Sequence, residues 1–148
     1  MKLQFGTPRP GLDYRFRATA FGIVERDGLI ACARVERGAG SYHDLPGGAI
    51  DEEETEQQAL AREFLEETGM TIAPEDRIGE AGQYFLKSDG TPVNNVGGFW
   101  TARFVSLDPA AKSEDDHELA WLTPAEAVAG LRHEAHAWAV IRWMRARR

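Results

Sequence analysis

The 148 residues are enough for one domain with a single core. With 43% hydrophobic and 28% charged residues, the composition is that of an ordinary water-soluble globular chain. A net charge of −7 argues against a general binder of nucleic-acid duplex, which needs a basic face, but not against a small phosphorylated ligand, because bound cations reverse a local field.

Residues 1–13 hold Pro8, Pro10 and Gly11 and read as an irregular lead-in without an apolar signal segment. R-F-R-A-T-A-F-G-I-V and L-I-A-C-A-R-V-E read as two strands, and E-R-D-G between them supplies an Asp-Gly hairpin turn. Cys32 in the second strand reads as a buried core thiol. A lone Cys has no partner for an internal disulfide, and no apolar run nears the roughly 20 residues of a membrane span, so a cytoplasmic protein is expected. R-G-A-G-S is a loop, and Y-H-D-L-P-G-G is a short strand ended by Pro and glycines.

Thr55–Thr68 is the first clear helix. Thr55 and Gln58 make a capping-box pattern, Leu60, Ala61, Phe64 and Leu65 form the apolar stripe, and Gly69 stops the helix. Strands are expected near Arg77–Lys87 and Val93–Leu107, joined by a turn around S-D-G-T. Residues 108–117 form an acidic loop, and H-E-L-A-W-L-T is a short strand. Thr123, Pro124 and Glu126 open a helical end, in one or two segments, with Trp138 and Ile141 inward and Arg142, Arg145, Arg147 and Arg148 near its C-terminus. Strands, a helix, strands and helices in that order, without repeat or linker, describe an α+β or mixed α/β fold over residues 1–148.

The stretch R-E-F-L-E-E-T-G-M places Glu63 on the same helical face as Glu66 and Glu67. Like charges at that spacing cost a helix about 0.2–0.5 kcal/mol per pair. A solvated acidic face is one reading. A hard-cation site is the other, because Mg²⁺ takes carboxylate and phosphate oxygens and removes the repulsion. Such a site favours phosphoryl chemistry. The turn Pro46-Gly47-Gly48 precedes the helix and lets backbone approach a ligand closely.

The wider spacing decides between these readings. Gly48, five residues, Glu54, seven residues, Arg62-Glu63, Phe64, one residue, Glu66-Glu67, one residue, Gly69 and Met70 run without a mismatch to a known pattern. Composition alone gives such a run on the order of 10⁻⁸ per start site. The segment resembles the Nudix box, G-x5-E-x7-R-E-U-x-E-E-x-G-U, where U is apolar. The resemblance implies an α/β/α sandwich with a mixed sheet. It implies hydrolysis of a nucleoside diphosphate linked to a group X, with Mg²⁺ or, in its place, Mn²⁺. By position, Glu63, Glu66, Glu67 and the main-chain carbonyl of Gly48 look like metal ligands. Arg62 looks like the residue that orients the acidic cluster through Glu54 or Glu63, a role suited to its bidentate fork.

The general base stays open between Glu63 and a residue of the later acidic run, where Glu118, three residues before Trp121, is preferred over Glu114, Asp115 and Asp116. His43 and His117 are further acid–base candidates that the family's reaction does not require. The substrate is expected to be a small phosphorylated, nucleotide-derived compound, such as a nucleoside triphosphate or a damaged nucleotide. Arg34 and Arg37 are the leading phosphate holders among Arg15, Arg17, Arg34, Arg37 and Lys87, and Tyr42 and His43 are pocket candidates. His43 stands where the family often has Trp, and Leu86, Lys87 and Ser88 stand where subfamily Pro or Tyr markers belong, so X is not legible. Tyr84, Phe85, Phe99 and Trp100 are base-stacking candidates or strand core, and Asn94 and Asn95 are base readers or turn residues. A homodimer is a family expectation that no surface here specifies. A Nudix-fold binding or regulatory module without turnover is the competing reading.

Overall fold

A computed structural model describes residues 3–38 and 40–147. Met1 and Lys2 of the lead-in, Ala39 of the R-G-A-G-S loop and Arg148 of the C-terminal arginines lie outside the described residues. The strands are β1 (Leu3–Phe5), β2 (Arg15–Ile23), β3 (Glu25–Arg26), β4 (Leu29–Arg37), β5 (Gly40–Asp44), β6 (Gly47–Ala49), β7 (Met70–Leu86), β8 (Pro92–Leu107) and β9 (His117–Leu122). The helices are α1 (Glu56–Thr68), α2 (Pro124–Gly130) and α3 (Glu134–Ala146). The fold is α/β, with a mixed sheet in the order β1-β7-β8-β2-β6 and a second sheet built on β4, which pairs with β3, β5 and β9.

Residues alternate across β2 and divide the core into two layers. Ala20 and Val24 pack with Leu60 and Phe64 of α1, and Phe21 and Ile23 pack with Ala135, Ala139, Val140 and Trp143 of α3. The five-stranded sheet therefore lies between α1 and α3. Gly22 leaves room for α1, since a Cβ there would meet Leu60 and Phe64 at 3.1 Å.

The expected hairpin is corrected in its pairing. Asp27 and Gly28 both adopt positive φ, as a tight hairpin turn demands, but they join β3 to β4 and not β2 to β4. β2 instead runs parallel to β8, with Arg15 opposite Val93 and Ile23 opposite Thr101. The chain crosses from one sheet to the other between Ile23 and Glu25.

The lead-in is corrected as well. Leu3–Phe5 adds a parallel edge strand to β7, opposite Ala81–Gln83. A three-residue strand has too short a pattern to announce itself and forms because an open edge receives it. β7 begins seven residues earlier than expected, at Met70. Pro74, Glu75 and Asp76, ahead of the expected strand, fall where the ladder shifts register, which is where a strand tolerates Pro.

α1 starts after Thr55, whose hydroxyl accepts from Gln58 N while Gln58 returns the bond, and it ends at Gly69 with φ of 77°. Its buried face is Ala59, Leu60, Phe64, Glu67 and Thr68, and Leu65, expected inside, is exposed. On α3, Ile141 is likewise exposed, and Ala135, His136, Ala139, Val140 and Trp143 form the buried face. Cys32 is fully buried, and burial pushes its thiol up to about 12. No helix among the described residues is long and apolar enough to cross a membrane.

Candidate active site

The glycine segment, expected as a turn, is the short strand β6, whose antiparallel pairing with β2 sets Gly48 opposite Ala20 and brings the segment beside α1. Gly48 has a steric reason: a Cβ there would stand 2.8 Å from Cδ of Glu63. The absent side chain is the space that the Glu63 carboxyl occupies. Gly47 N–H donates to Oε1 of Glu67 at 3.3 Å.

Arg62 ties the acidic face together. Its Nε and Nη2 donate to Oε2 and Oε1 of Glu54 at 2.8 and 2.9 Å. Its Nη1 reaches Oε1 of Glu63 at 3.1 Å and Oε2 of Glu66 at 3.2 Å, and Nη2 also donates to the Ala49 carbonyl at 2.9 Å. Those bonds hold the Glu54 carboxyl down at about 2. The guanidinium is raised in turn, first by its bond to Glu54.

Glu67 is in the opposite condition. It is 7% exposed, and burial, then the adjacent Glu63 charge, push its carboxyl well above the usual range. Burial raises Glu63 too, against the pull of Arg62. Among the described residues the basic group within 4 Å of Glu67 is the imidazole of His117, whose Nε2 lies 3.8 Å from Oε2 and whose pKa burial lowers. The buried Glu67 carboxyl, without an arginine or lysine partner within 4 Å among the described residues and beside Glu63, which Arg62 meets on one oxygen, fits a hard divalent ion, as does an all-oxygen donor set. Glu66 turns its carboxylate to Arg62 and stands outside the cleft lining.

The cleft has a volume of about 440 Å³, within the range of small-ligand sites. Gly47, Gly48, Glu63 and Glu67 lie on its wall, together with Glu114 and His117. The acidic loop is anchored there because Ser113 and Glu114 N–H both donate to the Glu66 carbonyl at 2.9 Å. Glu114, Asp116 and His117 place ligand-type atoms within 4.8 Å of one another. His117 Nδ1 is 2.7 Å from Oδ1 of Asp116, and Asp116 also pairs with Arg37.

Of the substrate candidates, the structure brings Arg37 and Tyr42 to the cleft and leaves Arg34 and His43 outside its lining. Glu118, preferred above as a base outside the box, is also outside, with a side chain 73% exposed. The pleat is the reason. Arg34 is in register with both His43 and Glu118, so all three share one face of the second sheet. The opposite face carries Tyr42, Asp44 and His117. Arg34 meets Glu36 at 2.5 Å and Glu118 at 3.8 Å there.

Sequence reasoning passed over Asp44, Arg132 and His133. Arg132 Nη2 donates to Oδ2 of Asp44 at 2.8 Å, and its guanidinium lies 3.6 Å over the Tyr42 ring. Burial raises the Asp44 carboxyl, and Arg132 opposes that shift. His133 packs on Phe85 with ring centroids 4.6 Å apart, and burial lowers it to about 3. Partners 88 residues apart leave no local signal. His136 behaves as a satisfied core histidine whose Nδ1 accepts from Leu45 N–H at 3.1 Å. Of the aromatic candidates, Phe85 lines the cleft, Phe99 lies in the core, and Trp100 donates to Oε1 of Glu56 at 2.7 Å.

Comparison with known proteins adds an independent finding. The NUDIX domain matches residues 13–144. The chain is 34% identical over 86 residues to "Putative 8-oxo-dGTP diphosphatase 2" of Mycobacterium tuberculosis, a match covering 56% of this chain. The chain spans about half the length of that curated relative, 55% of it. A solved structure titled NUDIX hydrolase from Nitrosomonas europaea superposes with a TM-score of 0.75 at 24% identity, covering 90% of this chain and 92% of that one. A MutT protein from Methanosarcina mazei superposes with a TM-score of 0.67 at 18% identity, covering 93% and 99%. At those identities the two structures speak for the fold.

Proposed function

The chain belongs to the NUDIX domain family, and from that premise we propose a hydrolase that cleaves the diphosphate bond of a nucleoside diphosphate derivative, with Mg²⁺ as its ion and Mn²⁺ as a substitute. The observation that carries the proposal is the Glu63–Glu67 pair at the cleft wall beside Gly48, in which Glu67 is buried without an arginine or lysine partner within 4 Å among the described residues. A module that binds without metal would have no need of the full set Glu63, Glu66 and Glu67. The preferred substrate is a nucleoside triphosphate, including oxidised forms. The name of the Mycobacterium tuberculosis relative supports that choice over nucleotide sugars. The lone reduced thiol of Cys32 favours the cytoplasm.

Glu63, Glu67 and the Gly48 carbonyl would hold the ion from the cleft wall, and Glu66, now bonded to Arg62, would join them by turning toward the cleft; the ion when bound neutralises phosphate charge and makes a bound water more acidic. Arg62 locks the Glu63 carboxylate in place through Oε1 and fixes the Glu54 end of the loop. Glu63 is the candidate proton acceptor within the box, on the cleft wall with one carboxylate oxygen held by Arg62. Glu114 replaces Glu118 as the candidate from the acidic loop, on the strength of its place in the lining.

A turnover screen with Mg²⁺ tests this reading. It covers ribo- and deoxynucleoside triphosphates, oxidised dGTP, ADP-ribose, dinucleoside polyphosphates and nucleotide sugars, with Glu67→Gln beside wild type and products identified by mass. Turnover of one class that the variant loses is the expected result. Metal-dependent binding without turnover of any compound would replace the hydrolase with a binding module.

A further inference from the structure

We propose that Arg17, held by Asn95, is the receptor for a phosphate group of the substrate. The proposal rests on the diphosphate-substrate reading above and adds a residue that the box does not contain. Arg17 and Asn95 are register partners on the parallel strands β2 and β8, at the centre of the five-stranded sheet. Both line the cleft that also holds Glu63 and Glu67. Arg17 Nε donates to Oδ1 of Asn95 at 2.9 Å, and Asn95 is itself 6% exposed. That bond uses one edge of the guanidinium and fixes its plane. Nη1 and Nη2 remain as a preset pair of donors, the geometry that suits two oxygens of a phosphate.

Charge balance separates Arg17 from the other cations of the cleft. Arg37 pairs with Asp116, Arg132 pairs with Asp44, and Lys87 lies within electrostatic reach of Asp89. Arg17 has no carboxylate within 4 Å among the described residues. Burial lowers its pKa, the Glu63 charge raises it, and Arg15 and Arg132 lower it further. A desolvated cation among other cations is stabilised by an incoming anion. A neutral base edge would satisfy its hydrogen bonds but leave its charge unbalanced, which favours phosphate over nucleobase. The influence of Glu63 on Arg17 puts the two in the same field. One diphosphate in that cleft then has carboxylates for its ion and a guanidinium for its oxygens.

The test is calorimetric binding to the full chain, with imidodiphosphate and deoxyguanosine as probes, each in chelator and in Mg²⁺. Arg17→Gln is expected to weaken imidodiphosphate at least about tenfold in both conditions, since charge-assisted bonds are lost, and to leave deoxyguanosine unchanged. Arg17→Lys restores part of the loss, because it keeps the charge and gives up the fork. Asn95→Ala, which frees Nε without removing the cation, weakens imidodiphosphate a few-fold. Melting of each variant near wild type excludes a merely structural effect. Imidodiphosphate affinity within about twofold of wild type in Arg17→Gln, or no binding by wild type, overturns the proposal. So does a loss confined to deoxyguanosine, which would make Arg17 a reader of the base edge. If the Arg17 dependence holds while wild type turns over no diphosphate compound, the hydrolase reading falls and the phosphate receptor stands. If wild type turns over a substrate and Arg17→Gln binds imidodiphosphate normally, the reverse follows.

Discussion

Arg62 holds Glu54 with two parallel bonds, Nε to Oε2 at 2.8 Å and Nη2 to Oε1 at 2.9 Å, while its Nη1 reaches both Glu63 and Glu66. One permanent cation thus sits behind a wall of carboxylates and decides which way they point. Glu54, which stays outside the cleft lining, matters because it fixes that cation.

The pair makes acid stability depend on Glu54. The carboxyl is near 4.5 when unperturbed and about 2 in the folded protein. A depressed value stabilises the fold fully above the unfolded pKa and is lost as pH falls through the folded one. Glu54→Gln is expected to flatten the pH dependence of melting between about pH 4.5 and pH 2. An unchanged profile in that window would contradict the linkage.

Glu67→Gln and Glu63→Gln are each expected to lower kcat by at least about a hundredfold at saturating Mg²⁺ with the fold intact. In chelator, the Glu67 variant should melt slightly above wild type, because a buried carboxyl beside Glu63 no longer has to be accommodated. Near-normal kcat would remove the ligand assignment, and a clear drop in metal-free melting temperature would contradict the repulsion argument.

Gly48→Ala tests the close approach of turn and helix. Its Cβ would meet the Glu63 carboxyl at 2.8–3.0 Å, so the side chain must shift. A displacement near 1 Å at a reacting centre costs about a hundredfold in rate. The expected variant keeps its melting temperature within a few degrees and loses about that much kcat. Normal turnover would mean that Glu63 does not need its position.

Arg132→Met is expected to destabilise the protein by roughly 1–3 kcal/mol in chemical denaturation, because it leaves the half-buried Asp44 carboxylate without its charged partner. Asp44→Asn in the same chain should recover most of that loss. Additive losses would show that the two side chains do not act as a pair.

Cys32 should resist an aromatic disulfide reagent in the native protein and react at once in denaturant, given its burial and a thiol pushed up to about 12. Rapid native labelling would mean that the strand opens.

The local features were legible because each is a short-range rule. The Thr55–Gln58 box, the Gly69 stop and the Asp27-Gly28 turn declare themselves within four residues, and the run from Gly48 to Met70 carries the family and the acidic face. Which strands pair was not legible. β2 follows β8 and not its sequence neighbour β4, because burying both faces of a central strand outweighs a short connection.

Side-chain parity was the second limit. Arg34, His43 and Glu118 are one residue away from positions on the opposite face, and a one-residue step along a strand moves a side chain through the sheet. The sequence by itself determined the acidic helix and its caps, because their interactions span a few bonds of chain, whereas the glycines expected as a turn became strand β6 through pairing with β2. Only the tertiary structure decided that Arg17 meets Asn95 and that Asp44 meets Arg132, because those contacts close loops of 78 and 88 residues and exist only once the sheets have formed.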